Sequence, residues 1–344
     1  MKYTNLPTTD IKVSKICLGT MTWGEQNIEE DGHQQLDYAI EQGVNFIDTA
    51  ELYSVPNPRA ETYGSTERII GNWLQKTGRR TDLIIATKIA GPAPFTQHIR
   101  TGGFAKNELE DAVNKSLKRL QTDYIDLYQL HWPERPTNFF GQLGYIHQEN
   151  QQWEDNFGQI LTDLNALIKA GKIRYIGLSN ETPYGLSRYM EEARKGLPKM
   201  ITVQNPYSLL NRKDEVGLTE ILHREGVGHL PYSPLGFGQL TGKYLDGYPP
   251  NARATLFPNY SRYHNELSFE ATRSYKSIAD EHELSLTQMS LAYVNTRPFV
   301  TSNIIGATKM VQLKENIASI DISLSKEVLE AIEEVHATIP NPAP

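Results

Sequence analysis

LIIATKIAGPAPFTQHIRTGGFAKNELEDAVNKSLKRLQTDYIDLYQLH (83–131) decides the fold. Its ends, LIIATK (83–88) and YIDLYQLH (124–131), are short runs rich in β-branched and aromatic residues, the composition of strands. Between them KNELEDAVNKSLKRL (106–120) carries Leu109, Val113, Leu117 and Leu120 at helical spacing, which predicts an amphipathic helix. A strand, a helix and a second strand make a βαβ unit, and such a crossover joins parallel strands. The same alternation runs outward to both ends. Further strands are predicted at KICLGTM (15–21), NFIDTA (45–50), RYIGLSN (174–180), ITVQNP (201–206), GHLPYSP (228–234) and SNIIGA (302–307). Helices are predicted at 31–42, 66–76, 160–170, 183–195 and 212–225, each ending at or near a glycine that relieves the left-handed residue after a helix, and again at 268–282, 286–295, 309–318 and 325–337. Eight strands, each followed by a helix and each too apolar to have a wet face, predict a (β/α)8 TIM barrel with an N-terminal β-hairpin. The competing open doubly wound sheet lacks its glycine-rich turn after the first strand.

The chain has 344 residues, so one domain spanning 1–344 exceeds a minimal barrel of ~250 residues. The excess falls at 1–14, which alternates like a hairpin expected to close the bottom of the barrel, and in long loops at 89–104, 132–157 and 236–267. Those loops follow the third, fourth and seventh strands, on the face where barrels carry active sites. A formal charge of −7 and the lack of a Lys/Arg block argue against nucleic acid as a partner. No apolar stretch approaches a membrane span, no leader is evident, and a single cysteine, Cys17, cannot form an internal disulfide. A cytoplasmic protein is expected, with the oligomeric state unreadable. Cys17, on the first strand, is expected to lie away from the chemistry.

In a barrel the last residues of the strands converge on one mouth. Asp48 ends the second strand, Lys88 the third and His131 the fourth, with Tyr53 five residues beyond Asp48. Each alone has an ordinary structural reading; together they gather a carboxylate, an ammonium, a phenol and an imidazole. An ammonium ~4 Å from a phenolate stabilises it by up to ~4 kcal/mol at an effective dielectric of ~20, so Lys88 is expected to lower the pKa of Tyr53. The set makes a tyrosine acid with an imidazole able to orient a carbonyl. It contains no matched nucleophile and base, and metal-ligand spacings such as HExxH are absent. Nothing in the protein donates hydride, so a cofactor must.

The runs GTMTWG (19–24), NFIDTAELY (45–53), ATK (86–88), DYIDLYQLHWP (123–133), KIRYIGLSN (172–180), TVQNPYSLLNR (202–212), PYSPLGFGQLTGKY (231–244) and IIGATKMVQLKEN (304–316) resemble the aldo-keto reductase superfamily in order over nearly the whole chain. HWPERPTNFFGQLGY (131–145) and PYSLLNR (206–212) are most similar to its bacterial Tas-type and potassium-channel β-subunit-like branches. The resemblance implies Tyr53 as general acid, Lys88 tuning it, Asp48 pairing with Lys88 and His131 orienting the substrate. It implies NADP(H) across the mouth, with Ser179, Asn180 and Gln204 on the carboxamide and Tyr232 stacked on the nicotinamide. Ser233, Leu235, Gly238 and Leu240 would line the pyrophosphate, with charge from Lys243 and Arg253. Where many members grip the 2′-phosphate with a Lys-Ser pair and a later Arg, this chain has Gly306, Ala307 and Gln312; Lys309 with Gln312, Glu315 and Asn316 would form the alternative site of the Tas-like branches. NADPH is therefore favoured, with NAD(H) as the alternative.

Trp23, Trp132, Phe139 and Phe140 are expected to build an aromatic substrate mouth for a small carbonyl compound, and Arg135 is a candidate reader of a carboxylate or phosphate. Three functions fit: a carbonyl reductase, a nicotinamide-binding regulatory or interaction subunit with little turnover, and a barrel hydrolase or lyase using Asp48 and His131.

Overall fold

The computed structural model describes residues 1–55 and 59–344. An antiparallel hairpin, β1 (Tyr3–Asn5) and β2 (Lys12–Ser14), leads into eight parallel strands. These are β3 (Ile16–Gly19), β4 (Phe46–Asp48), β5 (Ile84–Ile89), β6 (Ile125–Leu130), β7 (Ile173–Ser179), β8 (Met200–Gln204), β9 (Gly228–His229) and β10 (Asn303–Ile305). Their order follows the chain from β3 to β9, and β10 returns beside β3. The barrel closes at the last seam, where the amides of Thr301 and Ile304 donate to the carbonyls of His229 and Pro231, each at 2.9 Å. β9 is much shorter than the run GHLPYSP because Pro231 and Pro234 have no N–H to give to a ladder.

Helices α1 (Glu29–Glu41), α2 (Ser65–Thr77), α3 (Lys106–Leu120), α4 (Phe157–Lys169) and α5 (Pro183–Ala193) follow their strands as the periodicity predicts. The helix expected over 212–225 forms as a 3₁₀ turn (Lys213–Val216) and then α6 (Leu218–Glu225). The side chain of Asp214 holds the turn apart by bonding the His229 ring at 2.8 Å. A short helix, α7 (Arg253–Leu256), lies inside the loop after β9, and α8 (Glu266–Glu281), α9 (Leu286–Thr296), α10 (Met310–Ala318) and α11 (Lys326–Thr338) complete the chain. Among the described residues no helix is long and apolar enough to cross a membrane.

Strand side chains alternate between the helix layer and the barrel interior. Ile47, Ile85, Tyr128 and Ile176 face out and pack with Ile70, Leu109, Leu164 and Leu186 of the surrounding helices. Phe46, Ala86 and Leu127 face in and form an apolar layer with Cys17, Ile201, Leu230 and Ile304. Two residues further along β4, β5 and β6 the inward positions become Asp48, Lys88 and Gln129. The interior is thus apolar below and polar at the C-terminal mouth. Cys17 is not remote from the chemistry, as expected from its place on the first strand, but one layer beneath it. Burial pushes its thiol well above the ordinary range, with Asp48 adding and Lys88 opposing, so it is held as an inert thiol.

Leu6, Ile11 and Val13 of the N-terminal hairpin join that lower layer and close it from below. Pro7 seals the edge: a Cβ on Gly228 would come within 3.0 Å of its ring. Leu6 has no exposed surface. Leu6→Ala should therefore cost about 2–3 kcal/mol in urea unfolding, the lower part of the range for such truncations because a hairpin can settle partly into the gap. The mouth, at the opposite end of the barrel, should be unaffected.

Candidate active site

The mouth is built by the inward alternation and one irregularity. β8 slips against β7 between Met200 and Thr202, so that Ile201 is an extra residue in the ladder. Such a bulge re-aims the residues that follow it, and Gln204 reaches the interior beside Asp48. Asp48 is the hub. Its Oδ2 accepts from Lys88 Nζ at 2.6 Å, and its Oδ1 accepts from the side-chain amides of Gln204 at 2.8 Å and Gln129 at 3.2 Å.

Lys88 has no exposed surface, yet all three of its ammonium protons have acceptors. These are Asp48, the Thr49 carbonyl at 2.8 Å and the Tyr53 hydroxyl at 3.4 Å. Burial works against its charge, but Asp48 and Tyr53 outweigh it and leave its pKa above the ordinary lysine value. For Tyr53 the balance reverses. Burial pushes the phenol up, Lys88 pulls it down and Asp48 adds to the rise; the net direction is upward, opposite to the expectation that Lys88 would lower it. The hydroxyl accepts from Lys88, so its own proton points to some other acceptor.

His131 lies edge-on to Tyr53, with ring centroids 5.7 Å apart. Burial, and then the nearby Lys88 charge, hold its pKa well below the usual imidazole value, so the ring is neutral at pH 7. Its Nδ1 is buried without a protein partner. The geometry therefore brings the four expected residues together as a charged pair, a protonated phenol and a neutral imidazole.

The aromatic mouth forms only in part. Phe140, 40% exposed, stands 6.5 Å from the His131 ring and 5.4 Å from Trp132, and Phe139 stacks on Trp132 at 6.3 Å. Trp132 itself is buried behind them, its indole donating to the Pro92 carbonyl at 3.3 Å. Phe95, absent from the expected set, joins this cluster at 5.5 Å from Trp132. Trp23 does not reach the mouth. It is fully buried, packs in the helix layer with Leu36 and Ile69, and donates to Gln35 at 3.2 Å. Arg135 is not free to read an anion, because its two terminal nitrogens are committed to Glu181 at 2.9 and 2.5 Å.

A second buried ion pair escaped the sequence reading. Glu51, two residues before Tyr53, accepts from Arg100 at 2.7 and 2.5 Å and from the Ala90 amide at 2.7 Å. It ties the loop carrying Tyr53 to the end of β5. The run NFIDTAELY contains this glutamate, but its partner lies 49 residues away, with no local spacing to announce it.

Asn180 donates to the His131 carbonyl at 2.9 Å and to Ser179 Oγ at 3.1 Å, and it accepts from the Tyr232 hydroxyl at 2.6 Å. These residues form one rim of the mouth, and Gln204 gives part of its amide to Asp48. Beyond it, Ser233 and Gly238 take positive φ, which turns the loop backbone over itself, and Leu235 is partly buried. Leu240 is fully buried in a core outside the barrel and offers only its backbone. Lys243 packs against Gly238, where a Cβ would stand 2.7 Å from its Nζ. Burial and the neighbouring charges of Arg253 and Lys309 depress the Lys243 pKa, and Arg253 is itself lowered by burial. Among the described residues none of these three cations has an aspartate or glutamate within 4 Å. The loop bearing Lys309 is shaped by Gln312, which accepts from the amides of Thr308 and Lys309, and by Asn316, which donates to the Gly306 carbonyl at 3.1 Å. Glu315 accepts from Ser285 at 2.6 Å.

Residues 15–337 match the sequence profile of the Aldo/keto reductase family. The chain is 52% identical over the full length of both proteins to "Protein tas" of Escherichia coli (strain K12). It is 31% identical to "Uncharacterized oxidoreductase YrpG" of Bacillus subtilis (strain 168), over 97% of this chain and 96% of that protein. It is 30% identical, over 97% and 96%, to "Probable voltage-gated potassium channel subunit beta" of Arabidopsis thaliana.

Proposed function

The chain belongs to the aldo/keto reductase family, and from that premise we propose that it is an NADP(H)-dependent oxidoreductase that reduces aldehydes and ketones to alcohols, with Tyr53 as general acid. The observation that carries this reading is the Tyr53 hydroxyl accepting a hydrogen bond from the buried Lys88–Asp48 pair, beside a neutral His131. When bound, the nicotinamide supplies the hydride that reaches the carbonyl carbon.

The protein's part is binding and proton movement. Tyr53 and His131 direct hydrogen-bond donors at the carbonyl oxygen. As that oxygen gains negative charge it becomes a far stronger base than a phenolate, and Tyr53 passes its proton to it. Lys88, held charged by Asp48, stabilises the tyrosinate left behind until solvent returns the proton. A raised phenol pKa keeps Tyr53 protonated and ready at neutral pH. The buried aromatic cluster around Trp132 excludes water from one side of the reacting carbonyl.

The unpaired Lys243, Arg253 and Lys309 suit the cofactor's phosphates, with Ser179, Asn180, Gln204 and Tyr232 at the nicotinamide end. Lys309→Ala should raise the Kd for NADPH about tenfold, the loss of one charge-assisted contact, and shift NADH less than twofold. Fluorescence titration with both nucleotides decides this; equal weakening would remove the 2′-phosphate from Lys309. For the activity itself, purified protein should oxidise NADPH in the presence of 4-nitrobenzaldehyde. The similarity to a protein named as a channel β subunit supports a second reading, a nucleotide-binding regulatory subunit. Tight NADPH binding with negligible turnover across a carbonyl panel, and a stable heteromeric complex, would favour it.

A further inference from the structure

The chain leaves β4 still in parallel register with β5. The amides of Thr49 and Glu51 donate to the carbonyls of Ala86 and Lys88, at 2.9 and 3.2 Å, every second residue as a parallel ladder requires. The next bond of that ladder would run from the Ala90 amide to the Glu51 backbone carbonyl. Instead the Ala90 amide donates to the Glu51 side chain, at Oε1, 2.7 Å away, and the Glu51 carbonyl turns aside to accept from the Gly64 amide at 3.0 Å. The carboxylate thus stands in for the backbone at the rung where the chain departs from the sheet.

That departure carries Tyr53. The turn begins at Ala50, whose carbonyl accepts from the Tyr53 amide at 3.1 Å, and it is pinned further on by the Val55 amide donating to the Met21 carbonyl at 2.9 Å. Glu51 therefore fastens the start of the turn to β5, the strand that bears Lys88, and the Tyr53 hydroxyl meets Lys88 Nζ at 3.4 Å. Among the described residues the Glu51 side chain makes no hydrogen bond to Tyr53 or Lys88, so its influence on the phenol runs through the backbone. Arg100 braces the carboxylate from the other side, donating to both of its oxygens at 2.7 and 2.5 Å, and also donates to the Glu108 carbonyl of α3 at 3.1 Å. Both side chains of the pair are buried. A buried ion pair adds little stability over an apolar pair of the same volume. It does fix a length: the reach of the glutamate sets the gap between the turn and β5, and a displacement of ~1 Å at a reacting group costs up to about 10²-fold in rate.

We propose that Glu51, braced by Arg100, is a positioning residue that holds the turn after β4 against β5 at the distance that places the Tyr53 hydroxyl beside Lys88. This rests on the carbonyl-reductase reading above, in which that hydroxyl gives up the proton. The reach of the Glu51 side chain, rather than its charge, is what the reaction uses.

Two conservative variants separate reach from charge. Glu51→Asp keeps a carboxylate opposite Arg100 but shortens it by one methylene, so the Ala90 bond survives only if the turn moves. Glu51→Gln combined with Arg100→Met keeps an oxygen at the same reach and removes both charges. With 4-nitrobenzaldehyde and saturating NADPH, Glu51→Asp should lose about 10- to 100-fold in kcat, with KM and the Kd for NADPH within about twofold of wild type, and the double variant should keep kcat within about threefold. A role confined to charge or stability predicts the reverse order. That order would overturn the assignment, as would an unchanged kcat in Glu51→Asp or the failure of either variant to fold. Carbon-13 NMR of protein labelled at the tyrosine Cζ gives a readout independent of turnover. The Tyr53 signal, identified as the one lost in Tyr53→Phe, should move in Glu51→Asp and keep its wild-type position in the double variant. If wild type reduces no aldehyde and the signal still follows Glu51 in this way, the positioning stands and the reductase reading falls. If wild type reduces the aldehyde and the signal ignores Glu51, the reductase reading stands and the positioning falls.

Discussion

Tyr53→Phe lowers kcat for aldehyde reduction by about 10²–10⁴-fold, the usual contribution of a positioned general acid, and leaves the Kd for NADPH within twofold of wild type. The variant removes one oxygen and keeps the ring that packs with Leu52, Val55 and Trp132. The remaining groups hold their places, because Lys88 still has Asp48 and the Thr49 carbonyl. What disappears is, among the described residues, the one hydroxyl that both touches the Lys88 ammonium and has a proton free to give. His131 cannot replace it: a neutral ring whose pKa is held well below the usual value is a weaker source of stabilised charge than a tyrosine next to a fixed ammonium. Stopped-flow measurement of a single turnover, together with a nucleotide titration, separates this from a loss of binding. Full turnover in Tyr53→Phe would sink the proton-donor role and leave His131 as the candidate.

The sign of the Tyr53 shift marks the boundary of what was legible in the sequence. Which residues meet at the mouth follows from strand order and a period of two, both linear properties, so Asp48, Lys88 and His131 could be placed from their positions at strand ends. How far each is buried depends on the walls supplied by distant loops, and here burial outweighs the pull of Lys88. Trp23 illustrates the same limit. It sits four residues past the end of β3, near enough for a mouth residue, but the turn from Thr20 directs its ring back between α1 and α2, where Gln35 takes the indole proton. Arg135 looked available because Glu181 lies 46 residues away on the next strand's loop. Long-range pairing consumed it, as it consumed Glu51 and Arg100. The bulge that turns Gln204 toward Asp48 has no composition signal in ITVQNP at all.

Removing the charge beneath the phenol should have the larger effect on the fold. Lys88→Met should lose activity as completely as Tyr53→Phe and, unlike it, cost about 3–5 kcal/mol of stability at pH 7, because Asp48 is left as a buried carboxylate facing only two amides. Lys88→Met with Asp48→Asn should recover most of that stability and none of the activity, since asparagine can still accept from Gln129 and Gln204 but nothing stabilises the tyrosinate. The pH dependence separates the same two roles. In wild type the folded pKa values of Lys88 and Tyr53 are both raised, so each contribution is fully present below its unfolded value of about 10 and is lost as pH rises through the folded value. Urea unfolding should therefore show stability falling with pH in the alkaline range. In Lys88→Met the lysine's share of that alkaline loss is absent and only that of Tyr53 remains. A shallower alkaline fall in Lys88→Met than in wild type is the expected pattern; parallel pH curves for the two would mean that the pair is hydrated and contributes little to either fold or catalysis.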